Sequence, residues 1–304
     1  MIKTENLTKV YNGTKAVNGL NLEIAEGDIF GFLGPNGAGK STTILMLVGM
    51  IEPTEGKCII NDIEVARNPL KVKEIIGYLP ENVGFYGNMT AEQNLDYFAR
   101  FYVMDANERK KRTGELLELV QLASVSQKVG GYSRGMTQRL GLAQALLNNP
   151  VVIFLDEPTS NLDPEGVLQI RQTLKKLSDD GKTIFFSSHI LAEVAQVCNT
   201  IGIISNGTLI ERGTLEEIKR KLDVRKTVKI IVETTGDMPK IEHEDIINVE
   251  YKGRKAIIEA KSDIREYISM YLLENNIGIK ELRIEEPTLE DVFMESVYKG
   301  KGGK

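Results

Sequence analysis

A chain of 304 residues, 41% apolar and 27% charged, can bury one large core or two smaller ones, and this composition excludes an intrinsically disordered protein. The formal net charge of −5 argues against a partner read through a broad basic surface, so no nucleic-acid partner is expected. Two cysteines, Cys58 and Cys198, offer neither a metal-binding spacing nor a disulfide framework, which fits a reducing cytoplasm.

The opening stretch "MIKTENLTKV" has no apolar core of signal-peptide length. The most apolar run, "ILMLVGMI" from Ile44 to Ile51, is far shorter than the ~18 residues a bilayer span requires. Up to about residue 80 the chain reads as short strands broken by glycine, with "LNLEIAEGDIFGFLG" alternating and then running apolar. A helix is predicted after the glycine loop, carrying Ile44, Leu45, Leu47 and Val48 inward. Residues from about 90 to 148 read as almost wholly helical, opened by a Thr90–Gln93 capping box. "VVIFLD" and "TIFFSSH" read as strands buried on both faces, the mark of a parallel sheet covered by helices. Between them "EGVLQIRQTLKKLSDDG" is an amphipathic helix closed by Gly181.

Near residue 220 the texture changes and a domain boundary is expected, giving domains 1–220 and 221–304. "VKIIVET" and "INVEYKGRKAIIEA" alternate apolar and polar residues around a Lys252–Gly253 hairpin turn. "SDIREYISMYLLENN" reads as a capped amphipathic helix, "IGIKELRI" as a strand, and "PTLEDVFMESVYK" as a last helix with Thr288 and Asp291 in capping-box spacing. The second part is thus a small α+β module with no recognisable chemistry of its own.

The stretch "GPNGAGKS" fits G-x-x-x-x-G-K-[ST], after an apolar strand and before a helix. Such glycines let the backbone curl until successive N–H groups point at phosphate oxygens, and the helix N-terminus adds its positive end. Gly34, Pro35, Asn36, Gly37, Ala38, Gly39, Lys40, Ser41 and Thr42 are therefore the candidate nucleotide contacts. Lys40 supplies charge for the β- and γ-phosphates and Ser41 a hydroxyl for Mg²⁺. Asp156 and Glu157 end the apolar run "VVIFLDEP", at the strand edge where such sheets bind ligands. Asp156 is the candidate Mg²⁺ group and Glu157 the group that polarises the attacking water. No Asn-Lys-x-Asp guanine-reading motif occurs, which disfavours a GTPase.

With "YSRGMTQRLGLAQALL", Tyr132 to Leu147, the chain resembles the ATP-binding cassette (ABC) ATPases. Ser133, Arg134, Gly135 and Met136 stand where that family has its Ser-Gly-Gly-Gln signature core. The resemblance implies a P-loop NTPase fold: a RecA-like parallel sheet core with antiparallel β and helical subdomains. It also implies that Ser133, Gly135 and Met136 contact ATP held by a second subunit, either an identical chain or a paralogous one. Tyr11 matches the aromatic that stacks on adenine, "SNLD" at Ser160–Asp163 the loop that crosses between subunits, and His189 the histidine that meets the γ-phosphate. Glu81 departs from the pattern, since the family usually has glutamine after the Leu-Pro pair; a carboxylate there is a further Mg²⁺ candidate. Phe85 and Tyr86 would face a membrane subunit. The implied function is ATP binding and hydrolysis, with Lys40, Glu157 and His189 as catalytic residues and ATP and Mg²⁺ as cofactors. The work is export through a separate polytopic permease, done from the cytoplasmic face of the cell membrane. The features "GYLPE" and "EPTLEDVF" resemble the exporter-type subfamily of bacteria and archaea. The residues leave open a second reading, a soluble ABC ATPase in a non-transport assembly process. They disfavour ribosome- or DNA-directed members, since only one cassette and no sustained heptads occur.

Overall fold

The computed structural model describes residues 1–218 and 228–285. The last expected helix, with Thr288 and Asp291, lies outside them. The chain divides into two compact units, one running to Leu215 and the other starting at Glu216.

In the first unit, β1 (Ile2–Tyr11) and β2 (Thr14–Ile24) are ten and eleven residues long, not the short, broken strands that the glycines suggest. They pair antiparallel from Ile2↔Ile24 to Tyr11↔Thr14, with register shifts on the way. Asn6 and Gly19 adopt left-handed φ of 48° and 61°. An irregularity of this kind is absorbed as a bulge that twists the strand without ending it. β4 (Glu55–Ile60) pairs with β1, and β5 (Ile63–Glu64) closes the sheet in the order β2-β1-β4-β5.

The second sheet is built from β3 (Ile29–Leu33), β6 (Ile76–Leu79), β7 (Val152–Asp156), β8 (Thr183–Ser188), β9 (Thr200–Ser205) and β10 (Thr208–Thr214). Its order is β10-β9-β3-β8-β7-β6, parallel throughout except for the antiparallel β10. Every residue of β3, β7 and β8 is buried, which is why these strands read as continuous apolar runs rather than alternating ones. The Phe185 ring lies 5.4, 5.3 and 5.7 Å from those of Phe30, Phe32 and Phe154. Each such pair is worth about 0.5–1.5 kcal/mol beyond its burial, so the three central strands form a stiff platform.

Helices surround this sheet: α1 (Lys40–Leu47), α2 (Pro69–Ile75), α3 (Ala91–Ala99), α4 (Ala106–Leu119), α5 (Arg134–Ala145), α6 (Pro164–Asp179) and α7 (Leu191–Val197). The Thr90–Gln93 capping box forms, with bonds of 3.3 and 2.9 Å. The 90–148 region is less continuous than its composition suggests. Asp105 caps α4 by accepting from the amides of Asn107 and Glu108, and Gln121 turns left-handed just after α4 ends. Gly181, at φ 79°, follows α6 as expected. A Cβ on Gly31 would sit 2.2 Å from Val194 Cγ1, so α7 lies on β3 at a distance only glycine permits.

The second unit contains β11 (Val228–Thr234), β12 (Ile246–Lys252), β13 (Lys255–Ala260), α8 (Arg265–Glu274) and β14 (Ile279–Glu285). Its antiparallel sheet has the order β12-β13-β11-β14, with Ile230, Val232 and Ile258 clustered with Ile268 and Leu272 of α8. Two local expectations need correcting. Lys252 pairs with Lys255, so the hairpin turn is Gly253–Arg254, and Gly253 takes the positive φ of 61° that a II′ turn needs at its first central position. α8 has Ile264 at its N-cap position and no side-chain cap there, while Asp263 accepts from the amide of Arg265 instead.

Candidate active site

β3 delivers the chain to Gly34 at the C-terminal edge of the parallel sheet. A Cβ on Gly34 would come within 2.4 Å of Ile204 O, and one on Gly39, at φ 105°, within 2.4 Å of Ala16 O. Only glycine lets the loop press this closely against its neighbours. Ser188 O accepts from Gly34 N at 3.3 Å, and Gly207 N donates to Ala38 O at 2.9 Å, which anchors the loop on both sides. Thr43 is the first α1 amide bonded back to the loop, to Gly39 O at 2.9 Å. The amides before it are the orphans every helix leaves at its start, and they form an anion-binding end.

Lys40 is 5% exposed, and its Nζ donates to Gly34 O at 2.7 Å and Pro35 O at 3.3 Å. It also lies 3.1 Å from Glu157 Oε1. The ammonium is not aligned for a hydrogen bond to that oxygen, which therefore keeps an unused acceptor inside the site. Glu157 Oε2 lies 2.8 Å from His189 Nδ1. A buried carboxylate costs several kcal/mol unless its charge is answered, and here an ammonium and an imidazole answer it.

Glu157 has φ 49°, a left-handed conformation that costs a non-glycine residue roughly 1–2 kcal/mol. Ser187 Oγ holds it there, accepting from Glu157 N at 3.0 Å and donating to Asp156 Oδ1 at 2.7 Å. The two adjacent carboxylates thereby diverge: Glu157 lines a cleft of ≈ 330 Å³ and Asp156 does not. That cleft brings together Asn36, Gly37, Gly39, Lys40, Ser41 and Thr42 with Glu81, Glu157 and His189.

Other expected site residues lie apart from this cleft. Gly34, Pro35 and Ala38 form the back of the loop and do not line it. Tyr11 ends β1, 46% exposed, with Lys9 Nζ 5.2 Å from its ring centroid. Ser133, Gly135 and Met136 head α5, where Ser133 Oγ caps the helix by accepting from Met136 N at 3.2 Å. Arg134, in place of the family's glycine, reaches Ser160 O and Glu81 O at 3.4 Å each.

The donor set suits a nucleotide triphosphate with Mg²⁺. Among the described residues no group of three or more His, Cys, Asp or Glu is gathered to hold a metal by itself. Mg²⁺ characteristically takes one or two carboxylates, completing its shell with water and phosphate oxygens. The Ser41 hydroxyl and the Glu81 carboxylate in the cleft fit that sparse set, with Asp156 behind.

Sequence reasoning missed Ser187, Ser188, Thr159 and Glu193, whose hydrogen bonds brace the loops that carry Glu157 and His189. The only signal was the serine pair immediately before His189 in "FFSSHI".

Residues 17–160 match the ABC transporter family and residues 213–297 the C-terminal domain of ATP-binding proteins like DrrA1-3. The bacitracin transport ATP-binding protein BcrA of Bacillus licheniformis is 37% identical, covering 100% of this chain and 99% of its own. The linearmycin resistance ATP-binding protein LnrL of Bacillus subtilis is 31% identical over 97% of each. The dimeric structure of the ATP-binding cassette MJ0796 in a post-hydrolysis state, bound to ADP and Pi, superposes with a TM-score of 0.65 at 31% identity. It covers 71% of this chain and 99% of its own. The expected P-loop NTPase fold is thus borne out, and the chain belongs to the ABC transporter family as an ATP-binding, ATP-hydrolysing subunit.

Proposed function

We propose that this subunit powers export through a separate membrane permease, hydrolysing ATP in sites shared between two subunits. The observation that carries the reading is the meeting of Lys40, Glu157 and His189 in one cleft with the amide-rich start of α1. Lys40 and the amides bind the β- and γ-phosphates, and the γ-phosphate takes over Lys40 and His189 as its own partners. Glu157, released from them, accepts a proton from the attacking water. Ser41 and Glu81, with Asp156 behind them, would hold Mg²⁺, which would neutralise phosphate charge when bound. Tyr11 stacks on adenine. Ser133, Gly135 and Met136 act on nucleotide bound by the partner, an identical or paralogous chain.

Among the described residues no helix is long and apolar enough to cross a membrane. Family members associate with the membrane peripherally, and the side proposed here is the cytoplasmic face. An apolar groove of ≈ 470 Å³ suits a permease: Tyr78, Val83, Phe98 and Tyr102 line it together with Phe101 and Met50, which are 73% and 56% exposed. Phe85 and Tyr86 extend this aromatic surface, each in ring contact with Phe98. Burial, and secondarily the negative charge of Asp156, push the Tyr78 phenol up to about 12, so it stays neutral between groove and site. The names of BcrA and LnrL support an antibiotic-exporter reading. The expected result is that the chain co-purifies with a multi-span membrane protein encoded beside it. Phe101→Glu should abolish this capture while ATP binding persists. Capture of soluble assembly proteins alone, or unchanged capture by the variant, would overturn the proposal.

A further inference from the structure

Glu193 lies in the first turn of α7 and is only 8% exposed, yet its partners among the described residues are hydroxyls rather than a cation. A helix-start carboxylate that merely complements the helix dipole points to water. This one is turned inward. Its Oε2 accepts from Thr159 Oγ1 in a short bond, and from Ser188 Oγ at 3.2 Å. Thr159, 3% exposed, follows Glu157 by two residues, and Ser188, fully buried, immediately precedes His189. Ser188 Oγ also accepts from Ile190 N at 3.0 Å, so the hydroxyl brackets His189 from both sides.

One carboxylate oxygen therefore clasps the two loops that carry Glu157 and His189, beyond the point where β7 and β8 stop pairing. The close seat of Val194 and Cys198 on Gly31 of β3 fixes the helix that carries Glu193. We infer that Glu193 is a positioning residue for hydrolysis: through Thr159 and Ser188 it sets the separation of Glu157 and His189. The inference rests on the assignment of those two residues to ATP hydrolysis, which the Glu157→Gln variant tests separately.

The experiment measures steady-state ATP hydrolysis by the full chain, at one fixed protein concentration, alongside nucleotide affinity and thermal midpoint. Misplacing catalytic groups by about 1 Å costs about 10²-fold, so Glu193→Ala should lower kcat by that order with nucleotide Kd nearly unchanged. Thr159→Val, which deletes one hydroxyl without changing shape, should lower kcat about tenfold, and the double variant should be no worse than Glu193→Ala. Glu193→Gln, whose carbonyl oxygen still accepts both hydroxyls, should recover to within about threefold of the wild type. A purely structural Glu193 would lower the thermal midpoint and leave kcat of the folded protein intact. That outcome overturns the inference, as do multiplying defects in the double variant. Should Glu193→Ala fail to fold, a wild-type kcat in Thr159→Val overturns it alone.

Discussion

Glu157→Gln is expected to bind ATP as well as the wild type or better, and to lose turnover by about 10²–10⁴-fold. The amide keeps the volume of the side chain but cannot take a proton from water. It also frees Lys40 of a buried ion-pair partner 3.1 Å away, leaving the ammonium fully available to phosphate. Because Glu157 N is held by Ser187 Oγ through the backbone, the substitution leaves the left-handed turn in place. A subunit that binds ATP without consuming it should accumulate as an ATP-dependent dimer, since in the proposed shared site ATP favours the state in which it contacts both halves. Rate assays and size-exclusion chromatography with and without ATP check both points. Hydrolysis near the wild-type rate would remove Glu157 from the role of base.

Ser133→Arg is expected to abolish hydrolysis by a comparable factor while each subunit still binds ATP. Ser133 does not line the cleft that holds Lys40 and Glu157, so affinity in the separate subunit has no reason to change. The lost helix cap costs about 1 kcal/mol, which a domain of this size survives. A long cation at the positive end of α5 both blocks the approach of a second subunit's nucleotide and opposes the helix dipole. Equilibrium nucleotide binding below the dimerisation range, beside hydrolysis above it, separates the two effects. Collapse of affinity in the monomer would mean that the signature acts within its own chain.

Much of this site was legible because its parts are local. The glycine loop, the apolar run into Asp156 and Glu157, and the Ser133 cap each declare themselves within about ten residues. What stayed hidden depends on partners far apart in sequence. Ser187 holding Glu157 spans 30 positions, Thr159 to Glu193 spans 34, and Arg134 reaching Glu81 spans 53. Serine, threonine and glutamate are common enough that no spacing marks such pairs. The fold was misread where backbone conformation overrides composition. Asn6 and Gly19 bend β1 and β2 without ending them, and a single residue decides where the β12–β13 turn falls.

Neither subunit is expected to complete ATP hydrolysis alone. The most direct test is the specific ATPase rate of the purified chain across a wide range of protein concentration at saturating Mg-ATP. Sharing of the site predicts a rate per subunit that climbs with concentration and then levels off as dimers fill. A rate per subunit that stays flat and high down to concentrations where only monomer exists would contradict it.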